Sequence, residues 1–263
     1  MQRTIFYSWQ SDSPDTCNRS FIRECLEEAV KQIAGDSILE DSPRVDAGME
    51  GISGSPEVAS IMFRKIDRSA IFIGDVTLVG TIPAMKPDRE EKRVANPNVL
   101  LEMGYAAGRL GWERIICVMN EHFGKRQEQA FDVRNRRFPI DYTLDPISMK
   151  DRPKVRMALV RWLKAAIEAA ELTEYQLVQD VIDVLDADCV NVLNYHAKMP
   201  SFHIKSETTY GGLLATTRRD GAITRLLELK VLKYDYQKLD DAKFLWAYHW
   251  TYLGSLVLRK MGL

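Results

Sequence analysis

The most constraining feature of the sequence is a nearly unbroken apolar run, SAIFIGDVTLV (residues 69–79), which contains a single charged residue, Asp75. A strand that is apolar on both faces is typical of the centre of a parallel sheet covered by helices on both sides. In open α/β folds the carboxyl ends of such strands form the edge where ligands bind. The run therefore predicts a central parallel strand that delivers Asp75 to that edge.

Strand and helix patterns alternate on both sides of this run, which predicts an α/β domain with a parallel sheet. The first pattern is a short buried strand over residues 4–9, followed by a polar turn and a helix from about Asn18. The apolar stripe of this helix consists of Phe21, Ile22, Cys25, Leu26, Ala29, Val30 and Ile33.

A second strand and helix unit follows the first. We predict a weak strand over residues 37–46, a glycine-rich loop over residues 48–55, and a helix that starts at Ser55 with Pro56 at its first position. The core face of this helix consists of Val58, Ile61, Met62 and Ile66.

Residues 80–95 contain two prolines and many charges, which is typical of a mobile lid or an insertion. Further along the chain we predict a helix that starts at Asn96 and Pro97, and a strand over residues 114–120. The last strand of the domain is expected over residues 136–144, and a helix over residues 153–170 closes or leaves the domain.

From about Thr173 the alternation stops and helices dominate. The final segment then combines a leucine-rich helix end, a strand VLKYDY, a charged turn, a strand FLWAYHW and a last helix, and this order resembles a winged helix-turn-helix. We therefore predict an α/β domain over residues 1–150, a connecting helix over residues 151–172, and a smaller, mainly helical, winged-helix-like domain over residues 173–263.

The charge balance argues against a general affinity for nucleic acid or anionic membranes. The formal net charge is −1, and residues 173–263 contain as many acidic as basic residues. Arg218, Arg219 and Arg225 could still form a small basic patch. The balance favours dimerisation or protein contact by the second domain over nucleic-acid binding.

No targeting or membrane segment is evident, so we expect a soluble cytoplasmic protein without membrane contact. The four cysteines show no metal-ligand spacing, which predicts reduced thiols and no metal site. The four histidines are scattered, and the aromatic residues at 246, 248, 250 and 252 alternate as strand faces do. We expect these aromatic residues to pack within the second domain.

The helix after residue 95 raises a specific question, because Glu102 lies among apolar neighbours. Burying an ionised carboxylate without a partner costs several kcal/mol, so Glu102 either lies on an open edge or has a use there. With 3.6 residues per turn, the helix has a polar stripe and a core stripe. The polar stripe is Asn98, Glu102, Tyr105 and Arg109, and the core stripe is Val99, Met103, Ala106 and Leu110.

The polar stripe begins at the helix N-terminus, which in a parallel α/β sheet lies beside the carboxyl ends of the strands. The same edge is expected to receive Ser8, Trp9, Asp46 and Asp75, with Asn98 on the helix itself. A carboxylate flanked by amides, hydroxyls and an aromatic ring suits a ribosylated ligand. The plain alternative is that Glu102 is a hydrogen-bonded rim residue without chemistry. No P-loop or dinucleotide-binding glycine motif is present, which argues against an NTPase or a Rossmann dehydrogenase.

Three segments carry a resemblance to a known family: IFYSWQSD, SPEVASIMFRKIDRSAIFIGDVT and NPNVLLEMGYAAGRLGWERIICVMN. They resemble prokaryotic Toll/interleukin-1-receptor-like (TIR-like) nucleotide-binding domains over residues 1–150. The third segment carries the motif N-V-x-x-E-x-G-x-x-x-G-x-x-G, formed by Asn98, Val99, Glu102, Gly104, Gly108 and Gly111. Its first part is also similar to nucleoside 2-deoxyribosyltransferases. Both families imply a flavodoxin-like parallel sheet with helices on both faces.

The TIR-like resemblance implies hydrolysis of NAD⁺ to nicotinamide and ADP-ribose, or to a cyclised form, typically in bacterial antiphage defence. It implies that Glu102 is the catalytic glutamate, that NAD⁺ is a substrate and no cofactor is needed, and that the TIR-like domain self-associates. Ser8, Trp9 and Asp46 would then line the nucleotide site, with Asp75 and Asn98 as further candidates.

One carboxylate could suffice for this reaction. Nicotinamide is a pyridinium in NAD⁺ and leaves without a strong general acid, whereas ordinary glycosidases use two carboxylates. Two alternatives stay open at this point. The chain could be a deoxyribosyltransferase-like N-glycosidase that acts on nucleotides, or a non-catalytic nucleotide-binding or self-association module coupled to a winged helix that contacts nucleic acid or protein.

Overall fold

The computed structural model describes residues 3–36, 43–47, 57–85, 91–134, 139–203, 213–238 and 244–263. The chain divides into two compact units, Met1–Thr173 and Glu174–Leu263. The first unit contains strands β1 to β7 and helices α1 to α4, and helix α5 begins in it. In chain order these elements are β1 (Thr4–Ser8), α1 (Arg19–Asp36), β2 (Arg44–Ala47), α2 (Val58–Asp67), β3 (Ile71–Asp75), β4 (Leu78–Ile82), β5 (Lys92–Ala95), α3 (Pro97–Leu110), β6 (Ile115–Asn120), α4 (Phe131–Arg134), β7 (Ile140–Tyr142) and α5 (Arg152–Asp183).

Five strands of the first unit form one parallel sheet in the order β2-β1-β3-β6-β7. This order is compatible with a flavodoxin-like fold, in which the strand order reverses between β1 and β3. The α/β class and the parallel sheet expected from the alternating pattern are confirmed. The carboxyl ends of β1 and β3 are adjacent, since Ser8 pairs with Gly74.

Helices cover the two faces of this sheet. On one face, α2 and α3 pack against Phe6 and Phe72 in a buried apolar cluster. On the other face, the apolar stripe predicted for the first helix is buried along α1, at Phe21, Ile22, Cys25, Leu26, Ala29, Val30 and Ile33. Helix α5 lies beside α1, because Arg152 pairs with Glu24 at 2.7 Å.

The central apolar run departs from the prediction, because it divides into β3 and β4. The Asp75 carboxylate accepts hydrogen bonds from the backbone N–H of Thr77 at 3.1 Å and from the Thr77 hydroxyl. Such a local side-chain turn competes with strand extension and ends β3. Strand β4 then leaves the parallel sheet and pairs antiparallel with β5. The two ends of the loop expected over residues 80–95 are therefore strands, the β4–β5 pair outside the parallel sheet is compatible with an insertion, and residues 86–90 lie outside the described part of the chain.

Three further predictions need adjustment. The second strand is β2 at Arg44–Ala47, whereas residues 37–42 lie outside the described ranges. The described part of the second helix starts at Val58, and the glycine-rich loop with the predicted start at Ser55 also lies outside them. Helix α5 runs to Asp183, well past the predicted end at residue 170, since no glycine and no proline after Pro153 interrupts it.

The second unit contains the last part of α5 and a three-stranded antiparallel sheet with strand order β8-β10-β9. Its further elements are α6 (Ala187–His196), β8 (Ser201–His203), α7 (Leu213–Glu228), β9 (Leu232–Lys238), β10 (Phe244–Trp250) and α8 (Tyr252–Lys260). The predicted strand FLWAYHW and the final helix are confirmed by β10 and α8. Tyr252 belongs to the helix and not to the strand. Thr251 caps α8, because its hydroxyl accepts a hydrogen bond from the Gly254 N–H at 2.9 Å.

Candidate functional site

Helix α3 carries Glu102 and begins at the carboxyl edge of the parallel sheet. Asn96 caps it, because its Oδ1 accepts hydrogen bonds from the N–H groups of Asn98 at 2.8 Å and Val99 at 3.3 Å. Pro97 occupies the first helical position, and Gly111 ends the helix with φ of 84°. The predicted core stripe is confirmed, since its residues are buried: Val99, Met103, Ala106 and Leu110.

The polar stripe of α3 has two sets of partners. Glu102 accepts a hydrogen bond from the Ser8 hydroxyl, with 2.6 Å between Oγ and Oε2. Further along the helix, Tyr105 and Arg109 both donate to the Asp67 carboxylate of α2, at 3.0 and 2.6 Å. Arg109 therefore neutralises Asp67 and leaves Glu102 to a neutral hydroxyl. In the described part of the chain no ion pair involves Glu102.

Ser8 reaches Glu102 because of its position at the end of β1. Side chains alternate along a strand, so Ser8 shares a face with Phe6, and that face lies against α3. Opposite Ser8, Gly74 has no side chain, and a Cβ there would lie 3.0 Å from a Phe72 ring carbon and 3.5 Å from a Val99 methyl carbon. The glycine thus allows the first turn of α3 to approach the sheet.

Burial raises the pKa of Glu102 above its usual range, and the hydrogen bond from Ser8 acts in the opposite direction. Glu102 is half-buried, so its carboxylate is partly stripped of water but still accessible. A carboxylate in such a position attracts a nearby positive charge more strongly than one in bulk water. It can also accept hydrogen bonds from sugar hydroxyls.

Trp9 and Asp46 both have partners within the protein. The Arg19 guanidinium carbon lies 3.5 Å from the centroid of the Trp9 ring, so one face of the indole is covered. Asp46 of β2 pairs with Lys65 of α2 at 2.6 Å. Asp46 shares a sheet face with Phe6, its partner in the strand register, and hence with Ser8.

Asp75 lies apart from the Ser8–Glu102 pair. It follows Gly74, so its side chain points to the opposite face of the sheet, towards α1, and it is fully buried. Besides the two bonds from Thr77, it accepts hydrogen bonds from the side-chain amides of Gln10 at 3.3 Å and Asn18 at 3.2 Å. Burial raises the pKa of Asp75, and these four bonds lower it. The observed role of Asp75 is to join the β1–α1 loop to the end of β3, and its proposed contact with a ligand stays a prediction without support from this geometry.

Asn98 lies in the first turn of α3, one turn before Glu102, and its side chain is exposed. Next to it, the Asn96 amide donates to the Asp12 carboxylate at 2.6 Å, which connects the β1–α1 loop to the start of α3. The structure therefore brings together Ser8, Glu102 and the start of α3, with Trp9 adjacent in the chain. It places Asp75 on the other face.

Sequence reasoning missed Arg19 and Gly74, which shape this edge. Gly74 gave no signal, because its importance depends on the register of β1 with β3. Arg19 gave a weak signal. A cation in the first turn of a helix interacts unfavourably with the helix dipole, which suggests that the arginine has a role other than helix stability.

A separate cavity of about 860 Å³ lies in the first unit. It lies between β6, β7 and the middle of α5, and Trp112 and Trp162 form part of its wall. Neither Ser8 nor Glu102 lines it. We place the candidate site at Glu102 and not at this cavity, because the convergent polar groups lie at the sheet edge.

The remaining chemistry-bearing residues offer no alternative centre among the described ranges. No cluster of His, Cys, Asp or Glu there could hold a metal ion. All four cysteines are free thiols, and burial raises their pKa values to between about 11 and about 12, so they stay protonated. No helix in those ranges is both long and apolar enough to cross a bilayer.

Two of the three arginines that could form a basic patch in the second unit are paired with aspartates. Arg219 pairs with Asp220 at 2.9 Å, and Arg225 pairs with Asp186 at 2.8 Å. The aromatic residues of β10 pack as expected where their side chains are described, since the rings of Tyr248 and Trp250 lie 5.5 and 5.7 Å from the ring of Phe202.

No protein-family model matches the chain, and no curated protein matches it.

Proposed function

We propose that the chain is a TIR-like N-glycosidase that hydrolyses NAD⁺ to nicotinamide and ADP-ribose, with Glu102 as the catalytic carboxylate. The observation that carries the proposal is the Ser8–Glu102 hydrogen bond of 2.6 Å at the carboxyl edge of the parallel sheet. It fixes a half-buried carboxylate, without a cationic partner among the described residues, at the place where α/β sheets of this topology bind nucleotides. The TIR-like motif of α3 includes the same glutamate.

The chemistry follows from the charge of Glu102. When the C1′–N bond breaks, its electron pair leaves with nicotinamide, and positive charge develops on the ribose ring. A carboxylate beneath the ribose stabilises that charge, and it can hold a ribose hydroxyl as the charge forms. A water molecule then adds to C1′ and loses a proton to solvent, which gives ADP-ribose. The positive nicotinamide ring becomes neutral on departure and needs no proton.

Ser8 has a positioning role in this scheme. Its hydroxyl holds one oxygen of Glu102 and favours the ionised form that the reaction requires. Trp9 and Asp46 are the further candidates for the nucleotide site. Asn98 is exposed beside the same helix start and could reach a bound ligand.

For the second unit, we infer a winged-helix-like module that contacts protein. The order of α7, β9, β10 and α8 with an antiparallel β9–β10 hairpin supports the first part of this inference. The second part is supported by the local neutralisation of Arg219 and Arg225 by aspartates. We propose a role in bacterial antiphage defence, in which depletion of NAD⁺ stops the infected cell, on the basis of the TIR-like resemblance.

The test is NAD⁺ turnover by the full chain, measured as nicotinamide release over a range of protein concentrations, because assembly is commonly needed to order such sites. Glu102→Gln should abolish release. Glu168→Gln removes a carboxylate from the exposed face of α5 and is the matched control, so it should retain full activity. Retention of activity by the Glu102 variant would refute the proposal.

Parallel incubation with deoxynucleoside monophosphates distinguishes the close alternative. A deoxyribosyltransferase-like enzyme would release the base from these compounds and leave NAD⁺ intact. Tight binding of NAD⁺ by calorimetry without turnover of either substrate would instead identify a non-catalytic module.

A further inference from the structure

Arg19 has an unusual environment for a surface arginine. Its guanidinium carbon lies 3.5 Å from the centroid of the Trp9 ring, and the side chain is exposed. Stacking on an aromatic ring occupies the face of the guanidinium and leaves its N–H groups, which lie in the plane, available to an acceptor. In the described ranges no carboxylate forms an ion pair with Arg19.

The two acidic residues that precede Arg19 in the β1–α1 loop accept hydrogen bonds from other groups. The Asp15 carboxylate accepts hydrogen bonds from the Ser20 N–H at 3.2 Å and the Ser20 hydroxyl at 2.7 Å. The Asp12 carboxylate accepts from the Asn96 amide. Arg19 is also the first residue of α1, where a cation opposes the helix dipole, so helix stability does not explain it.

The position of Arg19 relates it to the proposed active site. Trp9 directly follows Ser8, the residue that donates to Glu102. Helices α1 and α3 lie on opposite faces of the sheet, and both begin at its carboxyl edge next to β1 and β3, where the strand order reverses. A ligand in the crevice at this point would lie between the start of α1 and the first turns of α3.

We propose that Arg19 binds a phosphate group of the substrate and thereby selects nucleotides over nucleosides. This inference rests on the proposed function, since Glu102 at C1′ places the phosphorylated 5′ side of the same ribose within the crevice. A guanidinium fixed by stacking loses little entropy when it forms two parallel hydrogen bonds to phosphate oxygens. The substrate class is a 5′-phosphorylated nicotinamide riboside, as a mononucleotide or as part of a dinucleotide.

The experiment compares nicotinamide mononucleotide with nicotinamide riboside, which lacks the phosphate. Arg19→Gln should raise KM for the mononucleotide about tenfold, as expected for loss of a charge-assisted contact. It should leave kcat/KM for the riboside within about twofold of wild type. Arg23→Gln is the matched control one turn further along α1, where Arg23 pairs with Glu27, and it should change neither substrate.

Equal losses with both substrates, or no change with the mononucleotide, would overturn the role of Arg19. A second measurement is independent of turnover: calorimetric titration of ADP-ribose into wild type and Arg19→Gln. If wild type cleaves neither the mononucleotide nor the riboside, this titration alone decides the role of Arg19, and the proposed function fails only if NAD⁺ is not cleaved either. ADP-ribose binding that is about tenfold weaker in Arg19→Gln than in wild type supports phosphate recognition by Arg19. Equal affinity in the two proteins, or no binding of ADP-ribose to wild type, rejects it.

Discussion

Removal of the Ser8 hydroxyl tests how this edge of the sheet controls Glu102. Ser8→Ala deletes the donor 2.6 Å from the Glu102 carboxylate and leaves its burial otherwise similar. Burial raises the pKa of Glu102, and Ser8 counteracts that rise. Loss of the hydroxyl should therefore raise this pKa further. Because the reaction requires the carboxylate, the acid limb of the pH profile of kcat/KM should move to higher pH.

The strength of the Ser8–Glu102 hydrogen bond determines how far the acid limb of the pH profile should move. A hydrogen bond to a charged group contributes about 1.5–3 kcal/mol, and about 1.4 kcal/mol corresponds to a tenfold change in a proton-binding constant. Glu102 is only half-buried, and water can replace part of the lost bond, so the lower value applies. We expect the acid limb to move up by about one pH unit.

The assay is the pH dependence of kcat/KM for NAD⁺, with a carbon-13 NMR titration of the Glu102 carboxyl, assigned by comparison with Glu102→Gln. Ser8→Thr keeps a hydroxyl and should restore the wild-type limb. If Ser8→Ala lowers kcat at every pH and leaves both the limb and the NMR titration unmoved, the hydroxyl does not control the charge of Glu102, and the reasoning fails.

Further substitutions test the framework of the two units. Asp75→Asn places an amide N–H₂ group opposite the side-chain amides of Gln10 and Asn18, whose oxygens already accept other hydrogen bonds. We expect the free energy of unfolding, measured by chemical denaturation, to fall by about 3 kcal/mol. A change of less than about 0.5 kcal/mol would contradict the observed network. Gly74→Ala should lower the free energy of unfolding by about 1–3 kcal/mol, because the new Cβ would press on the Phe72 ring. Gly108→Ala has open space around its new Cβ and should raise the free energy of unfolding by about 0.5–1 kcal/mol. Changes of the same sign in the two variants would refute this account. Thr251→Ala should cost about 1 kcal/mol by loss of the α8 cap, measured as a lower melting temperature of the second unit, and Thr251→Ser should restore it.

Helix faces were predictable from the sequence, because a packed helix repeats every 3.6 residues. The buried stripes of α1 and α3 were both identified in this way, residue by residue. The division of the central apolar run into β3 and β4 was not. It depends on the hydrogen bonds from Thr77 to Asp75, and a run of apolar residues does not show where such a turn will interrupt it.

The site was only partly predictable, for a reason of register. The position of Glu102 near the strand ends follows from helix period and topology alone. To predict whether Asp75 lies on the same sheet face as Glu102, one must know the strand register. A shift of one residue along a strand moves a side chain to the opposite face. Because Ser8 pairs with Gly74, Asp75 falls on the α1 face and joins a buried polar network.

The stability of Glu102→Gln can distinguish a functional glutamate from a structural one. The pKa of Glu102 is raised in the folded chain, so the ionised form is disfavoured by folding. The free energy of unfolding should therefore be highest while Glu102 is protonated. It should fall as the pH rises from the ordinary pKa of a glutamate through the raised pKa of Glu102. Glutamine avoids this cost and can still accept the bond from Ser8. At pH 7 the variant should thus melt no lower than wild type, and its advantage should shrink as the pH falls below that window. A lower melting temperature at pH 7 would mean that the Ser8–Glu102 hydrogen bond stabilises the fold. A variant that is inactive but at least as stable as wild type would instead show that the charge of Glu102 is needed for the reaction and not for the fold.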